Sequence, residues 1–182
     1  MMMKICLVFV FGLLSFTASE PAELLIWDLN RPLSWDDFKK RTGPEELYKA
    51  FTYSGIQFEV KRQDSTVLIQ VRPYFDPTQS WVHKDHLDDG LLAHEQIHFD
   101  LTALAAVEMD LRLEPYRVSL SEFIDLEYME PVQEMYDSLF DALDQRQKLY
   151  DQQTVHGTDT LEQMKWQTEI SMETIQLGLR HW

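Results

Sequence analysis

Apolar residues recur at every second position through "AFTYSGIQFEV" (residues 50–60), where Phe51 and Tyr53 are followed, after a break at Gly55, by Ile56, Phe58 and Val60. That period predicts a half-buried strand, with a bulge at Gly55. The alternation returns in "TVLIQVRPYF" (66–75), with Val67, Ile69 and Val71 on one face, and "RQDS" (62–65) predicts the hairpin turn between the two stretches. "QSWVHK" (79–84) predicts a short third strand at an edge.

Beyond residue 90 the pattern is helical. Leu91 to Leu113 contains no Pro or Gly, Asp88 or Asp89 can cap its start, and Pro115 closes it. Ser119 with Glu122 forms a capping box, and Pro131 starts or kinks a run through Leu149 that carries Val132, Met135, Leu139 and Leu143. "TVHGTDTLEQ" separates this run from a last helix over 160–178. A small antiparallel sheet packed on three helices is an α+β layout, and no repeat or linker divides it. Residues 20–182 therefore read as a single domain.

The first residues carry one lysine, Lys4, then an apolar run from Ile5 to Phe16, then small residues. These features predict a signal peptide over 1–19, with Ala18 or Ala22 as other possible ends. The run is well short of the roughly 20 apolar residues that a membrane span needs, so no stable span is expected after cleavage. A secreted or periplasmic protein is the expectation. Removing 1–19 takes away Cys6, the one cysteine, and leaves 15 basic residues against 31 acidic, one charge more negative than the −15 of the whole chain. Such a field repels phosphate backbones, so nucleic acid is not an expected partner.

The chemistry concentrates in "LLAHEQIHFD" (91–100). His94 and His98 are about 40° apart around a helix and roughly 6 Å apart along it, so both imidazoles reach one point, which can hold a zinc ion. Glu95 lies beside that face, placed to act as a base. Burying these three without a metal would cost several kcal/mol unless other groups paired them. Asp100 falls about 200° round the helix from His98 and is expected to be structural.

An open zinc site needs a third protein ligand. "FDLTALAAVEMD" (99–110) supplies no further histidine and no glycine. Glu108, Glu122, Glu127, Glu130, Glu134, Glu162 and Glu169 are too many to separate by spacing, and His83, His86 and His181 offer no context. His156 is the most suggestive, because "YDQQTVHG" (150–157) gathers Tyr150, Asp151, His156 and Gly157 at one helix end.

"LSWDDF" (33–38), "SWV" (80–82), "HEQIHFD" (94–100), "YDQQTVHG" and Trp166 together resemble a family of bacterial secreted zinc-dependent proteases long catalogued only as a domain of unknown function. Ile97 stands where that family carries glycine, a change expected to narrow the substrate cleft. The resemblance implies a zincin-like fold and a peptidase with one zinc ion held by His94, His98 and His156. Glu95 would then act as general base, Tyr150 as donor to the oxyanion, and Asp151 as the residue that orients a ligand histidine. The substrate would be a peptide or protein, paired as an extra strand along "SWVHKDH" (80–86) with His83 and His86 at the rim. Trp35, Trp81 and Trp166 are expected in the core. A zinc hydrolase of another bond and a non-catalytic zinc-binding or interaction module are the competing readings. The sequence leaves the oligomeric state open.

Overall fold

The computed structural model describes residues 23–42, 48–63, 66–114 and 126–177. The expected signal peptide, Pro115, the Ser119–Glu122 capping box and His181 lie outside them, as do Asp64 and Ser65 of the expected hairpin turn. Over the described residues the fold is α+β, with two small sheets and three helices.

Strands β4 (Ser54–Gln63) and β5 (Thr66–Phe75) form the predicted antiparallel pair, and β1 (Leu25–Ile26) adds to the other edge of β5. Ile69 and Val71 are buried, with Ile56 and Phe58 packed against the same cluster. The ladder runs without a bulge from Ser54↔Phe75 to Gln63↔Thr66. Gly55 breaks the apolar period for a different reason: a Cβ there would lie 2.7 Å from the Tyr74 hydroxyl, so the glycine admits that ring.

A second sheet has no counterpart in the apolar periodicity. Its strands β2 (Lys40–Thr42), β3 (Ala50–Phe51) and β6 (Trp81–His83) stand in the order β2-β6-β3, with β2 parallel and β3 antiparallel to β6. The strand expected at an edge is therefore the central one, and β3 is an edge. With both sides of β6 paired, no peptide can add to it.

Helix α1 (Asp89–Leu113) is the axis of the fold, packed against β5 on one side and on α2 (Leu126–Thr154) and α3 (Thr160–Gln176) on the other. Asp88 caps it, accepting from the Leu91 amide at 2.9 Å. Phe99, Leu101, Ala103, Leu104 and Ala106 are all buried, so the middle of α1 presents apolar residues in several directions, as a helix packed between other elements does. Ile97 is buried in this core, away from the cleft described below, and does not narrow it. Helix α2 begins before Pro131 and runs past Leu149 to Thr154. Asp159 caps α3, accepting from the amides of Leu161 and Glu162. Trp166 is buried, whereas Trp35 and Trp81 are half-buried. Among the described residues no helix is long and apolar enough to cross a membrane.

Candidate metal centre

One helical turn separates His94 from His98 on α1, and their rings meet edge to face with centroids 4.8 Å apart. The last turn of α2 brings Asp151 to the same point. His94 Nε2 lies 3.2 Å from His98 Nε2, and Asp151 Oδ1 lies 3.1 Å from the first and 3.0 Å from the second. Among the described residues these are the three whose donor atoms converge in a manner able to hold a metal ion. Ligands on a tetrahedral zinc with bonds of 2.0–2.1 Å are about 3.3 Å apart, so this triangle is close to the required size.

A ring protonated at Nε2 donates to Asp151 Oδ1. Burial pushes the His98 pKa down, but the bond to Asp151 and the charges of Glu95 and Asp151 outweigh it, and the net shift is upward. Burial likewise acts to raise the Asp151 pKa, yet the bonds from His94 and His98 hold it well below the ordinary carboxylate range.

The chain leaves α2 through a left-handed stretch, with φ of 49° at Val155, 51° at His156 and 76° at Gly157. The His156 amide donates to the Asp151 carbonyl at 2.9 Å, a six-to-one closure of the helix end. Glycine is needed at 157, since a Cβ there would fall 2.9 Å from His94 Cγ. A β-branched residue is strained at the φ of Val155. This turn carries His156 to the rim, where its half-exposed ring lies against Tyr48 with centroids 5.0 Å apart and its Nδ1 is 3.4 Å from Asp151 Oδ1. His156, the third ligand expected from the sequence, is thus beside the converging group and not part of it. Asp151 occupies that corner instead of supporting it from behind.

Tyr150 also differs from expectation. It precedes Asp151 by one residue, so it points about 100° away from it, into the core. The side chain is fully buried, stacked on His94 with centroids 4.6 Å apart, and its hydroxyl donates to Gln163 Oε1 at 2.8 Å. Burial, opposed by that hydrogen bond and reinforced by nearby carboxylates, drives the phenol pKa well above its usual value. A hydroxyl so enclosed cannot reach a substrate oxyanion, and Tyr150 is a support for the histidines.

Glu95 is buried, and its Oε2 accepts from the Thr52 hydroxyl at 2.7 Å. It lines the same cleft of about 680 Å³ as His94, His98 and Asp151. Phe51, Leu91, Phe140 and Leu143 supply apolar wall, and residues 48–52, which include the edge strand β3, form one side. His83 and His86, expected at the rim, do not line the cleft. His83 is buried, with its Nδ1 accepting from the Asp85 amide at 3.2 Å.

Gln147 and Gln163, like Thr52, belong to the site although no sequence pattern marks them. Gln147 Oε1 rests against His98 Nδ1, and Gln163 Oε1 lies 3.2 Å from His94 Nδ1. No spacing rule singles out a glutamine; its only signal was that Gln147 shares the α2 face of Asp151, one turn earlier. Comparison with protein-family models, with curated proteins and with solved structures finds no match to this chain.

Proposed function

We propose that this chain is an exported zinc-dependent peptidase of the zincin type. The observation that carries the reading is the convergence of His94, His98 and Asp151 on one point of an open cleft that Glu95 also lines. Two imidazoles and a carboxylate are a donor set that suits zinc, and a site with three protein ligands would leave room for water or substrate. Bound there, zinc supplies Lewis acidity that polarises a scissile carbonyl and acidifies water. Glu95 takes the proton from the attacking water and passes it to the leaving amine, and the Thr52 hydroxyl fixes its carboxylate for that exchange.

A peptide is the substrate favoured by the cleft wall. Among the described residues one edge of β3 pairs with β6 and no strand pairs with the other, so an extended chain lying in the cleft can bond to it through its backbone. The strand addition expected along "SWVHKDH" moves in this way to residues 48–52.

The decisive variant is Glu95→Gln, which keeps the size of the side chain and removes the base. Zinc content measured by elemental analysis is expected to equal that of the parent. Cleavage of a mixed peptide library is expected to fall by about 10²–10⁴. Parent-like cleavage by Glu95→Gln, or parent cleavage that survives removal of zinc by chelator, overturns the proposal. Full zinc occupancy with no cleavage by the parent points to the non-catalytic zinc module.

A further inference from the structure

We infer that Gln147 and Gln163 are positioning residues that hold both histidines in a single tautomer, with the proton on Nδ1 and a bare Nε2 facing the cleft. The inference rests on the metal reading above and adds what prepares the two rings for it.

The orientation of the Gln147 amide is fixed by its own partners. Its Nε2 donates to the His98 carbonyl at 2.9 Å, and a carbonyl can only accept. Thr102 Oγ1 lies 3.4 Å from the same nitrogen. Gln147 Oε1 is therefore the atom against His98 Nδ1, and that ring nitrogen must carry the proton. Neutral imidazole has one proton, so Nε2 is left with its lone pair aimed at Asp151 and His94.

Gln163 reaches the same result less symmetrically. Its Oε1 receives the Tyr150 hydroxyl at 2.8 Å and faces His94 Nδ1 at 3.2 Å, whereas its Nε2 is buried with no partner. Turning the amide over would place the nitrogen against His94 Nδ1 and leave the oxygen unpartnered instead, with the Tyr150 proton moved toward the His94 carbonyl 3.3 Å away. Either way one buried polar atom is unsatisfied, so hydrogen-bond counting alone does not choose. The cation does. The turned amide would force the His94 proton onto Nε2, the atom 3.2 Å from His98 Nε2, and a protonated nitrogen cannot ligate.

An amide also suits this place better than the carboxylate more often found behind a ligand histidine. Asp151 and Glu95 already balance the two charges of a zinc ion. Carboxylates at 147 and 163 would add two more negative charges to a chain with a formal net charge of −15. Gln147 and Gln163 accept a hydrogen bond from the imidazole Nδ1–H without that repulsion, and they come from different helices. Docking of α2 on α1 sets one ring, and docking of α3 sets the other.

The test reads protons directly. In full-length, ¹⁵N-labelled, metal-free protein at a pH where both rings are neutral, long-range ¹H–¹⁵N correlation should find His94 and His98 protonated on Nδ1. An Nε2–H tautomer at either ring overturns the inference for its glutamine. Gln147→Leu and Gln163→Leu should each mix the tautomers and weaken zinc binding by about 10–100-fold in competition with a chelator. Gln147→Glu and Gln163→Glu, which retain an acceptor, should keep Nδ1–H. Leucine variants with parent tautomers and parent zinc affinity overturn it. The metal reading fails separately: a parent chain that has the Nδ1–H tautomers, loses them in the leucine variants and binds no zinc upholds the positioning role and removes the zinc.

Discussion

Helix α1 carries buried and half-buried polar residues on two faces, and they are satisfied in opposite ways. On the face away from the cleft, Gln96 Oε1 accepts from the Leu33 amide at 2.7 Å. Its Nε2 donates to Asp100 at 2.7 Å, and Trp27 Nε1 donates to the same carboxylate at 2.7 Å. Donors meet acceptors, and the network ties the segment before β2 to the helix. On the cleft face, His94, His98 and Asp151 turn electron-rich atoms toward one another within 3.0–3.2 Å. Polar residues kept for stability close on complementary partners. Groups that face like with like call for a cation, a proton or a substrate.

Truncating one acid on each face separates the two roles. Asp151→Ala should cost more zinc affinity than the roughly 10–100-fold expected for a supporting residue. Asp100→Ala should leave zinc affinity unchanged and lower unfolding free energy by about 1–3 kcal/mol, because Trp27 and Gln96 lose their acceptor. Chelator competition and urea melts measure the two. An Asp100 variant that loses zinc, or an Asp151 variant that keeps it, would erase the contrast.

A finer test concerns the rim. His156→Ala should reduce zinc affinity by less than about tenfold, the lower bound for a residue that supports a ligand. A larger loss measured by the same competition would return His156 to the metal and make Asp151 its partner.

The smallest effect is on pH dependence, and here the sign is diagnostic. Without metal, the raised His98 pKa contributes stability that is complete below the unfolded value of 6.5 and fades as pH rises through the folded one. The lowered Asp151 pKa contributes stability present above 3.8 and lost as pH falls through its folded value. Metal-free protein should thus lose stability from this pair as pH climbs past 6.5. Zinc needs unprotonated ligands, so its stabilisation should grow over the same range. Parallel melting curves with and without zinc would contradict the cation reading.

What could be read from the sequence follows the length of each pattern. The β4–β5 pair has ten residues a strand and a period interrupted only at Gly55, and α1 is marked by its cap and by the absence of Pro and Gly from Leu91 to Leu113. The second sheet has strands of two or three residues, too short for any period, and β2 pairs with a β6 some forty residues later. In the site, His94, Glu95 and His98 share one regular helix, so spacing alone predicts that both rings reach one point. The choice between Asp151 and His156 depends on three successive left-handed residues, and Val155 and His156 are not types that announce such a turn.

The reach of the triangle along the chain has a further consequence. An ion held by His98 and Asp151 joins positions 53 residues apart, and through His94 it joins positions 57 apart. Cys6 is the one cysteine, so no disulfide can form within the chain. A covalent link across a loop of that size would remove about 4 kcal/mol of chain entropy from the unfolded state in the simplest account. Coordination acts in the same direction, reversibly, and only while metal is present. On the proposed reading the ion would double as a cross-link, and resistance to heat or to proteolysis would track the free zinc around it.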